Sequence, residues 1–303
     1  APALRAYQEL RREGELKLRV LQQIPESELD AAIEIGLQSG FGDEWIRIGA
    51  LKIFSDGSLG ARSALMVEAY EGEPDNFGIA VSTAEHLKVQ IEKASRAGLA
   101  VYTHAIGDQA NRNVLDAIEA TRQAGLGLHL RYRIEHAQIL HPDDFGRFAE
   151  LDVIPSMQPI PCTQDIVSAD NNWGARCHLA YAWSTLLSTG AVLAFGSDAP
   201  VETPSIMEGL YAAVTRRRAD GYPGADGWYT EECLSIQDAV YAYTMGAAYA
   251  GCEESIKGSL TAGKLADLVV LDADIFSIEA EEILEAGIVA TMVGGEFVYE
   301  NGL

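Results

Sequence analysis

No stretch of this 303-residue chain approaches the roughly 18 consecutive apolar residues that cross a bilayer. No basic-then-apolar leader opens it and no lipidation motif is present, so neither a membrane span nor a lipid anchor is expected, and the default location is cytoplasmic. Positive charge is scarce. Lys and Arg number 22 against 45 Asp and Glu, and a formal charge of −23 repels nucleic acid and anionic lipid, which excludes both as expected partners. Cysteine is sparse too: Cys162, Cys177, Cys233 and Cys252 lie far apart with no C-x-x-C pair, so neither a disulfide scaffold nor a zinc ribbon is indicated and reduced thiols are expected. No glycine-rich phosphate loop follows the later strand-like runs, which argues against a phosphate-binding barrel enzyme. Low-complexity segments are absent.

What is present is a globular composition, 48% hydrophobic and 22% charged, long enough for one α/β barrel of about 250 residues with a small appendage. Strand-like runs at 17–24, 46–54, 99–103, 130–135, 152–157 and 191–196 alternate with helical stretches near 27–38, 83–97, 108–123, 142–150 and 179–189. Two further helices near 205–218 and 236–249 precede short strands at 266–272, 288–293 and 296–299. The expected fold is α/β: a TIM-like (β/α) barrel with six of its eight strands over 1–257, and a small C-terminal β-appendage over 258–303.

Three polar clusters close strand-like runs: Tyr102-Thr103-His104, Ile134-Glu135-His136 and Gly196-Ser197-Asp198. In such a fold the strand C-terminal ends share one face, where the βα-loops build the active site. Two imidazoles and a carboxylate arriving there suit a divalent metal. A metal held by neutral imidazoles and a carboxylate makes hydroxide available at neutral pH, and Asp198 beside it can serve as general acid and base.

Other polar residues have plainer alternatives. Lys52 is either a site residue or an inward lysine paired with a carboxylate such as Asp56. Asp56 and Ser58 fit a turn as well as a site. Arg62 either grips a substrate anion or forms a loop ion pair, and Gln138 and Gln158 are candidates for facing the pocket. Asp108 reads as a helix N-cap. His86, His129, His141 and His178, which lie away from strand ends, read as surface or core residues, and the aromatics Trp173, Trp183, Trp228, Tyr222 and Tyr229 as packing.

Five ordered motifs, LKIFSDGSLGARS at 51–63, THAIGD at 103–108, IEHAQ at 134–138, GSDAP at 196–200 and GSLTAGKLADLVVLD at 258–272, resemble the amidohydrolase superfamily. Within it the chain looks like the YtcJ-like, or amidohydrolase 3, branch. The resemblance covers nearly the whole chain. It implies a metal-dependent hydrolase acting on non-peptide carbon–nitrogen bonds of amides or cyclic amides. It also implies His104, His136 and Asp198 as metal ligands, Lys52 as the bridging lysine, and one or two divalent ions, zinc first.

The family's His-x-His on the first strand has no match, since no two of the six histidines lie two positions apart. The expectation is therefore a chain lacking its N-terminal part, with two barrel strands and half of the β-appendage missing. The alternative to an enzyme is a catalytically silent fragment, or a small-molecule binding module that has lost its metal. Unpaired edges of the appendage would then favour a homodimer.

Overall fold

The computed structural model describes residues 2–301. After α1 (Pro2–Glu13), six parallel strands follow in chain order: β1 (Val20–Pro25), β2 (Ile46–Phe54), β3 (Ala100–Ala105), β4 (Tyr132–His136), β5 (Val153–Met157) and β6 (Ala194–Phe195). Each pairs with its sequence neighbour, and together they form a curled half-barrel. The crossovers carry α2 (Leu29–Glu34), α3 (Ala84–Arg96), α4 (Asp108–Gln123), α5 (Phe145–Glu150), α6 (Pro159–Gln164), α7 (Ile166–Trp173) and α8 (Trp183–Ser188). Leu87, Ile91, Val114 and Ile118 of α3 and α4 are buried in one cluster with Ile53, Val101 and Ile134 of the strands, the burial that stabilises a parallel sheet covered by helices.

Local chemistry sets the element ends. Thr83 caps α3 by accepting from the His86 N–H. The helix expected over 27–38 stops at Glu34 because Gly36 turns left-handed (φ 71°). Gly36 N–H donates to the Ile33 carbonyl and Leu37 N–H to that of Ala32, a Schellman closure. The strand expected over 191–196 shrinks to Ala194–Phe195 and pairs only with β5. Residues 159–173, which contain two prolines, are helical. Pro159 occupies the first turn of α6, where the missing N–H costs nothing.

Beyond α9 (Ile206–Thr215), α10 (Ile236–Tyr241) passes through a π-helical turn, Ala242–Gly246, into α11 (Ala247–Ala250). A separate antiparallel sheet of β7 (Leu268–Leu271), β8 (Ile288–Val293) and β9 (Glu296–Glu300) ends the described chain. Its tight hairpin uses Gly294 and Gly295, both at positive φ as a type I′ turn demands. The Arg19 guanidinium donates to both carboxylate oxygens of Asp267 and ties this sheet to the barrel beside β1.

Candidate metal centre

Register delivers the key side chains together. Phe54 lies opposite His104 in the β2–β3 pairing, and Ala105 lies opposite His136 between β3 and β4. The two imidazoles meet edge to face with ring centres 4.7 Å apart. His104 Nε2 donates to the Gly57 carbonyl at 2.8 Å. A carbonyl only accepts, so Nε2 carries the hydrogen and Nδ1 keeps its lone pair. His136 Nδ1 lies 2.8 Å from Gln158 Oε1, and Gln158 Nε2 in turn donates to the Ser156 carbonyl, which fixes the amide orientation. His136 therefore keeps its Nε2 lone pair. Fixing a ring's N–H on an acceptor so that the other nitrogen is bare is how metal-ligating histidines are oriented.

Both rings are held neutral. Burial, reinforced by the neighbouring His136, drives the His104 pKa down to about 4. Burial likewise lowers His136 against the opposing hydrogen bond from Gln158. His136 (φ 77°) and Asp198 (φ 58°) both adopt left-handed backbone conformations, strain of the kind that clusters at functional sites.

Lys52, His136, Gln158 and Asp198 line one cavity of about 400 Å³ inside the half-barrel. Its floor is ionic. Arg133 donates from Nε and Nη2 to Glu135 Oε1 at 2.8 and 2.6 Å, and its guanidinium stacks 3.9 Å from the centre of the Tyr102 ring. Burial alone would raise the Glu135 pKa, but Arg133 and Lys52 outweigh it and hold the carboxylate below its usual range. Burial lowers the Lys52 pKa despite the attraction of Glu135. Sequence reasoning passed over Arg133 and Glu135. The signal was there: two opposite charges two residues apart on a strand share one face of it.

The remaining candidates lie outside the ionic cavity, although Asp56 Oδ1 comes within 3.5 Å of His104 Nε2. Asp56 is buried and accepts from three backbone N–H groups, those of Leu65, Ile106 and Gly107, so it staples the 56–65 loop to the start of α4. Gly107 admits that loop closely, since a Cβ there would meet the Leu65 carbonyl oxygen at 2.0 Å. Gly107 is also the residue at the N-cap of α4; Asp108 lies inside the first turn and accepts from Val67 N–H, a correction to its expected capping role. Gln138 donates to Asp165 and Tyr181 away from the ionic cavity. Arg62 pairs with Glu73 on the surface. Among the described residues no three His, Cys, Asp or Glu side chains converge closely enough to hold an ion, so Asp198 lines the cavity without closing on the two imidazoles.

The pattern of the Amidohydrolase family matches residues 1–299. The chain belongs to the amidohydrolase family. It is 34% identical to YtcJ of Bacillus subtilis (strain 168) over 98% of this chain and 55% of that protein. It is 29% identical to the N-substituted formamide deformylase of Arthrobacter pascens over 84% of this chain and 46% of that enzyme. Among solved structures, an uncharacterized metal-dependent hydrolase from Pyrococcus horikoshii OT3 superposes with a TM-score of 0.82 at 33% identity, covering 92% of this chain and 56% of the other. The chain thus spans about half the length of the curated relatives it matches. No described helix is long and apolar enough to cross a membrane.

Proposed function

We propose that this chain supplies part of the active site of a metal-dependent hydrolase that cleaves the carbon–nitrogen bond of a small amide or cyclic amide. The observation that carries the reading is the pair of bare imidazole nitrogens, Nδ1 of His104 and Nε2 of His136, on touching, neutral rings. Family membership and the named deformylase relative support the C–N bond as the target. Neutral imidazoles with a carboxylate suit zinc; His104 and His136 would hold it with Asp198, and Lys52 would join them only as its carbamate, since an ammonium has no lone pair to donate. A bound divalent ion supplies Lewis acidity and, at neutral pH, a hydroxide nucleophile.

The chain's own groups do the rest. Asp198 accepts the proton of the attacking water and returns it to the leaving nitrogen as the C–O bond forms and the C–N bond breaks. Gln158, already oriented by Ser156, offers the substrate a polar contact. Cys162 and Cys177 are buried free thiols, in keeping with a proposed cytoplasmic setting.

Metal content by elemental mass spectrometry of the chain purified without chelator, beside His104→Ala and Asp198→Ala, tests this. Near-stoichiometric metal that falls in both variants is the expected result. Metal absent from the parent chain, or unchanged in both variants, overturns it in favour of a binding module without catalysis. That second reading draws on the failure of three acidic, imidazole or thiol groups to converge among the described residues.

A further inference from the structure

A second opening, of about 480 Å³, lies at the ends of β1 and β2. Gln23 and Lys52 line both this opening and the ionic cavity, so the two adjoin. Its walls are otherwise largely carbon. Phe54 is 50% exposed and Val81 59% exposed. Phe54 shares a strand face with Lys52, two residues earlier, and its ring centre lies 5.2 Å from that of His104 and 5.0 Å from the Lys52 ammonium. Phe54 therefore joins this opening to the His104 imidazole. Glu26, hydrogen-bonded to His86, also lines this opening.

We infer that this opening is the subsite for an apolar substituent of the amide, an aromatic ring or branched alkyl group, stacked on Phe54 and packed against Val81. The inference rests on the hydrolase reading of the adjoining cavity. Phe54 and Val81 are then specificity residues. Because both are solvent-exposed, replacing them leaves the core intact.

Binding of N-benzylacetamide and N-methylacetamide to the zinc-supplemented chain, followed by NMR titration, tests the subsite. The benzyl amide is expected to bind at least about tenfold more tightly than the methyl amide, equivalent to about 1.4 kcal/mol. Phe54→Ala and Val81→Asp are each expected to cut the preference below about threefold. Equal affinity for the two neutral amides, no binding of either, or a preference that survives both variants overturns the proposal. Metal content of the same samples separates the two readings. Metal retained without a benzyl preference overturns the subsite alone, whereas a Phe54-dependent preference without metal upholds the subsite and overturns the hydrolase reading.

Discussion

The neutrality of His104 has a thermodynamic signature. An unfolded histidine titrates near pH 6.5, while burial holds the folded His104 near 4. Between those values the unfolded state binds more protons, so stability falls as pH is lowered from about 6.5 to about 4. Relative to His104→Ala, the parent chain should lose roughly 3 kcal/mol across that window. Urea midpoints of both proteins at neutral pH and near the lower end of the window check this; parallel curves would refute it. At Asp56 both carboxylate oxygens accept backbone hydrogens, so Asp56→Asn turns an NH₂ toward N–H donors. It should destabilise by about 1–3 kcal/mol, seen as a lower thermal midpoint. That His104, His136 and Asp198 lie at or just past strand ends was legible in sequence, because a polar residue ending an apolar run is a one-dimensional signal. The partners of Asp56, Gln138 and Arg62 were not, because they depend on how loops fold back across long sequence separations.

At the scale of elements, Arg216 shows how a loop is pinned without a carboxylate. Its backbone is left-handed (φ 50°) at the end of α9, its side chain is fully buried, and its guanidinium donates to the carbonyls of Trp228, Tyr181 and Ala180. Trp183 and Trp228 face it, each ring centre 5.0 Å away. Arg216→Met strands the buried carbonyls of Trp228 and Ala180, while that of Tyr181 keeps the Trp183 N–H, so a loss of about 2 kcal/mol or more is expected in denaturant unfolding. A cost under about 1 kcal/mol would show that water replaces the guanidinium. Such an anchor is invisible to periodicity. The strands were legible, with β2 expected at its observed limits and most others within a few residues, because buried parallel strands read as apolar runs. The helices over 159–173 were not, since their prolines look like loop signals unless the helix start is already known.

For the whole molecule, the charge of −23 and the small C-terminal sheet pull in opposite directions. Val269, Phe297 and Tyr299 are 51%, 46% and 47% exposed on that sheet, an apolar surface suited to self-association. Repulsion between like-charged copies acts over about 10 Å at 0.1 M salt and is screened above it. We therefore expect a homodimer whose population rises with salt and falls in Phe297→Lys, read by sedimentation velocity. A monomer at every salt concentration would exclude it. The barrel class was legible from the order of runs alone, because sequential βα units admit few topologies. Which surfaces stay bare was not, since exposure is a property of the assembled layers.

The indoles around Arg216 also make this chain its own optical instrument. Two of its four tryptophans, Trp183 and Trp228, sit buried against one cation, and the Trp228 Nε1–H is held by Asp170 at 3.0 Å. Rotationally locked indoles give sharp near-ultraviolet dichroism, and those bands will report the seating of the 216–228 loop with no label attached.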